Sequence, residues 1–280
     1  MGDAPARRVG VAATAPLGAD VLERLAARVP VAWLLTRPDR PQGRGRKVGA
    51  PPAKQVAERL GIEVRQPERL DPAAPVDVDV VVVAAYGVLI PEELLQRALW
   101  LNVHPSLLPR WRGAAPVERA ILAGDAETGV TIHETVKELD AGPIAAQRAF
   151  HIGPHDDAGA LYARSAELAV ELLLQAIQAP GGPAFRPQGE EGITYAHKLG
   201  PEDREIDWAA PAVETLRRIR ALSPHIGARA VVRGRPVTVW EARPVGPDGG
   251  TLVESGLDLL EVQPDGKRRM SGAEFLRGLR

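Results

Sequence analysis

Through the first part of the chain, hydrophobic positions fall into short runs separated by segments of helical spacing. Val9–Ala13 and Val31–Leu35 are apolar runs of strand length. Val78–Ala85 (Val-Asp-Val-Val-Val-Val-Ala-Ala) is nearly continuous and β-branched, as suits a parallel strand covered on both faces. Ile62–Val64, Leu99–Val103 and Thr128–Glu134 read as further strands. Between them, Asp20–Arg28, Lys54–Leu60, Pro91–Ala98 and Pro116–Gly124 read as helices, with Pro and Gly marking several of their ends. Thr36–Pro52 lacks periodicity and is rich in Pro, Gly and Arg, so it reads as a long loop. This alternation predicts an α/β fold with a parallel sheet, whose ligands would bind at the carboxyl ends of strands.

Farther along, His155-Asp156-Asp157 caps a long amphipathic helix over 158–178, which stops at Pro180-Gly181-Gly182-Pro183. Residues 183–202 are polar and rich in Gly and Pro. Asp207–Ala221 restarts a helix, and Ala230–Val232, Pro236–Glu241 and Leu257–Val262 are short alternating strands. That pattern predicts a small β-barrel or sandwich. The expected organisation is a first domain over 1–182, a linker over 183–202 and a second domain over 203–280.

Composition narrows the chemistry. The chain has no cysteine, which excludes disulfides, thiolate metal sites and a thiol nucleophile, and fits a reducing, cytoplasmic setting. No apolar run reaches membrane-spanning length, and Met1–Arg8 is followed by no apolar leader core, so no signal peptide is expected. The formal net charge is −1, so any affinity for nucleic acid must come from local patches. Residues 37–54 carry six Lys/Arg against one Asp, and residues 211–280 carry twelve Lys/Arg against eight Asp/Glu. The rest of the chain is correspondingly acidic.

The candidate chemistry lies in Asn102-Val103-His104. In a strand, residues i and i+2 share a face, so an amide and an imidazole project together. The amide can stabilise a developing oxyanion, and the imidazole can move protons near neutral pH. Asp140, in Leu139-Asp140-Ala141-Gly142-Pro143, is the candidate partner for the histidine. The three together suit attack on a carbonyl without a covalent enzyme intermediate, and no Gly-x-Ser-x-Gly elbow supplies a serine. Taken alone, these residues leave a structural turn and an active site both open. Gly43-x-Gly45-x-x-x-Gly49 does not fit a dinucleotide fingerprint. His151 and His155 have no third ligand at recognisable spacing, so a helix-cap role is expected there. His133 is read as core or as a border of the site, and Trp208 and Trp240 as packing for the second domain.

The longer string Leu101-Asn102-Val103-His104-Pro105-Ser106-Leu107-Leu108-Pro109-Arg110-Trp111-Arg112-Gly113-Ala114-Ala115-Pro116 resembles the core signature of the folate-dependent formyltransferases. Ala85–Pro91, Thr128–Ile132 and Asp140–Pro143 follow in family order. Arg37–Lys47 and Glu261–Met270 resemble stretches of the member that acts on charged initiator tRNA. The match runs from about residue 31 to the end. It departs from the family pattern at Val11–Gly18 and at Val245–Ser255.

The resemblance implies a Rossmann-like parallel-sheet catalytic domain followed by a small OB-like β-barrel that binds tRNA. It implies formyl transfer from 10-formyltetrahydrofolate to the α-amine of methionyl initiator tRNA, by direct attack through a tetrahedral intermediate. Asn102 would hold the oxyanion, His104 would accept or relay the amine proton, and Asp140 would tune His104. Tyr86, Gly87, Val88 and Leu89, with Ser106, Leu107, Leu108 and Pro109, would form the folate wall. Arg37, Arg40, Arg44, Arg46 and Lys47, with Lys267, Arg268 and Arg269, would contact tRNA. No metal and no membrane are expected, and the protein is expected to work as a monomer. Arg110 and Arg112 stay open between the folate glutamate tail, tRNA phosphates and the bare surface. The alternatives are a formyltransferase for an amino sugar or other small amine, and an RNA-binding protein that kept the fold without the chemistry.

Overall fold

A computed structural model of the chain describes residues 7–42 and 47–279. The elements in order are β1 (Val9–Ala13), α1 (Pro16–Ala26), β2 (Val31–Leu35), β3 (Arg40–Gln42), β4 (Lys47–Gly49), α2 (Pro52–Leu60), β5 (Glu63–Arg65), β6 (Val80–Ala84), α3 (Glu92–Leu95), β7 (Leu99–His104), β8 (Arg112–Gly113), α4 (Pro116–Ala123), β9 (Glu127–Glu134), β10 (Ile144–His151), α5 (Ala158–Gln178) and β11 (Tyr195–Ala196). After the short 3-10 turn Glu202–Arg204 come α6 (Ala212–Leu222), β12 (Ala228–Val232), β13 (Arg235–Pro244), β14 (Val253–Glu254), β15 (Leu257–Pro264), β16 (Met270–Ser271) and α7 (Gly272–Arg277).

The main sheet has seven strands in the order β10-β9-β7-β6-β1-β2-β5. From β5 to β7 neighbouring strands are parallel. All five residues of β6 are buried, at roughly 1.5–3 kcal/mol for each fully buried valine side chain. Trp33, Trp100, Val81, Val83, Leu94 and Tyr86 close one apolar cluster of this sheet.

The sheet is not parallel throughout, in contrast to the expectation from strand–helix alternation: β9 runs antiparallel to β7. The helix between them in the chain, α4, packs on α6, where a Cβ on Gly124 would lie 2.2 Å from the Arg217 guanidinium. The edge strand β10 was not anticipated either. Its residues Ile-Ala-Ala-Gln-Arg-Ala-Phe-His are mostly half-buried or exposed, so they lack the apolar run that marks a central strand. Helix α1 begins at Pro16 rather than Asp20, because Pro fits a first helical turn, where its missing N–H has no partner to lose.

The chain forms two compact units. One comprises the chain up to Arg112, Gly129–Phe150 and Tyr162–Tyr195; the other comprises Gly113–Thr128, His151–Leu161 and Ala196 to the C-terminus. In the second, β12, β13, β15 and β14 pair in that order, with β16 added on β15. Register shifts around Glu241 in the β13–β15 pairing bend a curled antiparallel half-barrel. Its core gathers Ile219, Leu222, Val232, Val239, Leu259 and Phe275, with Trp208 packed against it.

The segment read as one long loop carries a short hairpin, β3 pairing with β4. Asp39 there pairs with Lys54 at 2.8 Å. Arg44 and Arg46 lie outside the described residues, as do the side chain of Lys47 and the Met1–Ala6 stretch.

Candidate active site

Strand β7 carries Asn102 and His104 to its carboxyl end, and antiparallel pairing places His133 of β9 opposite Asn102 and Thr131 opposite His104. Residues directly opposite on neighbouring strands point to the same face. Two polar pairs therefore meet on one side of the sheet, while Val103 and Ile132 are buried.

Asp140 reaches this pair from the turn after β9. Its Oδ1 accepts a hydrogen bond from Asn102 Nδ2 at 3.2 Å, and its Oδ2 lies 3.6 Å from His104 Nδ1. Its backbone has φ 48, in the left-handed region that side chains usually avoid. The turn also needs Gly142: a Cβ there would sit 1.8 Å from the Glu134 carbonyl oxygen.

Hydrogen bonds fix the protons on the two buried imidazoles. His104 Nε2 lies 2.7 Å from the Trp111 carbonyl oxygen. A carbonyl only accepts, so Nε2 carries the proton and Nδ1 of the neutral ring presents its lone pair towards Asp140. Likewise His133 Nδ1 lies 2.8 Å from the Glu134 carbonyl, so its Nε2 accepts from Asn102 Nδ2 at 3.0 Å. Burial pushes the His104 pKa down, and the Asp140 charge and the Trp111 carbonyl oppose it only in part. The net result is a histidine held neutral, able to accept a proton at Nδ1 beside a carboxylate. Both Asn102 N–H bonds are engaged, with His133 and Asp140. To stabilise an oxyanion, the amide must exchange its longer bond, to Asp140, for the new oxygen.

The Ser106–Pro109 loop is tied to the sheet. Ser106 Oγ donates to the Arg110 carbonyl at 2.7 Å. Leu108 N–H donates to Thr131 Oγ1 at 3.1 Å, and its carbonyl accepts from Gln147 Nε2 at 2.9 Å. Leu107 and Pro109 are half-buried. In the other predicted wall, Tyr86 is buried in the apolar cluster, and its phenol pKa is pushed up to about 12 by that burial. Val88 and Leu89 are exposed, Leu89 to 85%.

Among the predicted tRNA contacts, Arg37 is half-buried and Arg40 exposed. Lys267 and Arg268 are exposed in the second unit, with Arg268 3.2 Å from Glu274. Arg269 is committed within the same unit. It stacks on Trp240 at 3.4 Å, donates to the Pro224 carbonyl at 2.8 Å and pairs with Glu261 at 3.5 Å. Of the two unassigned arginines, Arg110 lies over the Trp111 ring at 4.4 Å, and Arg112 donates to Gln188 Oε1 at 3.1 and 2.6 Å. Asp157 Oδ1 accepts from the Ala160 amide at 2.8 Å at the start of α5, in keeping with a helix cap. Among the described residues, no His/Cys/Asp/Glu group is placed to hold a metal ion, and no helix is long and apolar enough to cross a membrane.

The family model described as formyl transferase matches residues 12–177, and the formyl transferase C-terminal domain matches residues 198–280. The chain belongs to the formyl transferase family. Among similar members, the methionyl-tRNA formyltransferase of Aromatoleum aromaticum is 42% identical over 97% of this chain and 94% of its own length. That of Paracoccus denitrificans is 40% identical over 97% of each chain. Among solved structures, HypX from Aquifex aeolicus in complex with tetrahydrofolic acid has a TM-score of 0.67 at 21% identity, covering 97% of this chain and 47% of that one. A likeness at that identity speaks for a shared formyl transferase fold.

Three polar residues around the site of this formyl transferase carried no decisive local signal. His133 shares the Thr131-x-His133 alternation of a strand, which becomes informative only once its pairing with Asn102-x-His104 is known. Trp111 contributes a backbone carbonyl. Gln188 falls between the two family matches, in the stretch read as linker.

Proposed function

We propose that the chain transfers the formyl group of 10-formyltetrahydrofolate to the α-amine of methionyl initiator tRNA, with Asn102, His104 and Asp140 as its catalytic residues. The observation that carries this reading is the meeting of an amide, a neutral imidazole and a carboxylate at the end of β7, in a formyl transferase about 40% identical to enzymes named for that reaction.

The amine has a reference pKa of about 7.7–8.0, so part of it is neutral at pH 7 and ready to attack. Its nitrogen bonds to the formyl carbon, and the carbonyl oxygen becomes anionic as the tetrahedral adduct forms. Asn102 stabilises that oxygen after releasing Asp140. The proton displaced from the amine goes to His104 Nδ1, because Nε2 is already protonated and bound to Trp111. Asp140 stabilises the imidazolium across 3.6 Å. Collapse of the adduct breaks the bond to the folate nitrogen, which takes the proton back from His104 Nδ1 as it leaves and returns the imidazole to its neutral form. The exposed Val88 and Leu89 and the Leu107–Pro109 loop serve as the folate wall. Arg37, Arg40, Arg44, Arg46 and Lys47, with Lys267 and Arg268, supply charge for the tRNA backbone.

In this reading residues 1–182 are the catalytic domain, 183–202 the linker and 203–280 the tRNA-binding domain of a monomer working in the cytoplasm. The test supplies 10-formyltetrahydrofolate with either charged initiator tRNA or a set of amino sugars and other small amines. Formylation of the charged tRNA is expected. Formylation of small amines alone overturns the proposed acceptor, and binding of tRNA without any transfer overturns the enzyme reading.

A further inference from the structure

Asp140 holds an unusual backbone conformation, φ 48, of the kind that persists only when its surroundings enforce it. The enforcement comes from the segment read as linker. Gln188 Nε2 lies 2.8 Å from the Asp140 carbonyl oxygen and 2.8 Å from the Gly142 carbonyl oxygen. One amide group thus donates both hydrogens, to the carbonyls on either side of Ala141. Its other end has a fixed orientation. Gln188 Oε1 accepts from Arg112 Nε and Nη2, and a guanidinium has donors only, so the amide cannot face the other way. The backbone beside it is anchored too. Ile144 and Arg186 exchange hydrogen bonds at 2.7 and 2.9 Å, and Arg112 N–H donates to the Thr194 carbonyl at 2.9 Å.

We infer that Gln188 is a positioning residue for formyl transfer: oriented by Arg112, it pins the carbonyls of Asp140 and Gly142 and so aims the Asp140 carboxylate at His104 and Asn102. The inference rests on the catalytic reading given above. A hydrogen bond to a residue's own carbonyl restrains its ψ, and with φ already fixed this sets where its side chain points. Displacing a reacting group by about 1 Å can cost roughly 100-fold in rate, so a group that never touches substrate can still govern turnover. Arg112 thereby gains a role none of the three open assignments foresaw: it holds the residue that holds the aspartate.

Two substitutions separate positioning from mere tethering of the linker. Gln188→Met removes the amide at nearly constant volume. Gln188→Glu keeps, and by charge strengthens, the contact with Arg112, but turns a carboxylate oxygen towards two carbonyl oxygens. Positioning predicts that both variants lose roughly 10- to 100-fold in kcat, with the KM for each substrate changed by no more than about threefold. The acid limb of kcat against pH should also move down, because an Asp140 drawn away from His104 no longer supports its protonated form. Arg112→Met combined with Gln188→Met should be no slower than the worse single variant, since the two act through one contact. Melting curves recorded alongside allow kcat to be expressed per folded molecule. Wild-type kcat in Gln188→Glu, a loss confined to KM, or an unshifted pH profile overturns the inference. Asp140→Asn serves as the control. If it transfers normally, the catalytic reading itself fails; if it is inactive while Gln188→Glu is unimpaired, only the role of Gln188 fails.

Discussion

The ring of His104 is oriented by a backbone atom: its Nε2 lies 2.7 Å from the carbonyl oxygen of Trp111. Trp111 is itself in the left-handed region, φ 65, and its N–H is held by Thr194 Oγ1 at 2.9 Å. The tautomer of His104 is thus set by a strained residue of the Pro-bracketed loop, which leaves Nδ1 as the acceptor nitrogen of the neutral ring.

His104→Ala should lower kcat by about 100- to 10,000-fold, the span of general acid–base contributions, while leaving tRNA binding in a gel-shift assay intact. Lost binding would show that the histidine is structural.

Acid should weaken the folded state through the same residue. His104 is held below its unfolded value of about 6.5, so the unfolded chain takes up a proton that the folded chain refuses. Its contribution is whole above that pH and is lost progressively as pH falls below it. Comparing melting of the wild type with His104→Gln, which keeps a donor for Trp111, should show the smaller acid-side decline in the variant. Equal declines in both would remove His104 from the acid response.

Gly142→Ala should displace the Asp140 turn, because no Cβ fits 1.8 Å from the Glu134 carbonyl. We expect a loss of about 1–3 kcal/mol in stability, together with a fall in kcat larger than any change in KM, measured by denaturant unfolding and steady-state kinetics. A variant with wild-type turnover would mean that the turn tolerates movement.

Arg268 and Arg269 should behave differently although they are neighbours. Arg269→Ala forfeits the Trp240 stack and the bond to the Pro224 carbonyl, at about 1–2 kcal/mol of stability. Arg268→Ala should leave melting unchanged and weaken tRNA binding. Matching melting losses would refute the distinction.

The paired substitution Arg44→Ala with Arg46→Ala should weaken tRNA binding and make log affinity against log salt less steep by about one to two units. An unchanged slope takes the basic segment out of the interface.

Much of this was legible along the chain. Continuous β-branched character marks β6, and period-two geometry puts Asn102 and His104 on one face, because both signals are local and repeat within a few residues. The family resemblance, carried by the same string, matches the formyl transferase models. The direction of β9, the partners of Asn102 and the fate of Arg112 were not legible. Asp140 meets Asn102 across 38 positions, and Gln188 meets Asp140 across 48. Nothing near Gln188 in a polar, Gly/Pro-rich stretch distinguishes a brace from a spacer. The sequence by itself determined the apolar central strands and the alternation that puts Asn102 and His104 on one face, since hydrophobic periodicity and residue type are properties of short segments. Only the tertiary structure decided which nitrogen of His104 donates, what restrains the Asp140 turn and which arginine serves it: the first depends on how the loop folds the Trp111 carbonyl back onto the ring, and the other two on Gln188 meeting Asp140, Gly142 and Arg112 across 46 to 76 positions.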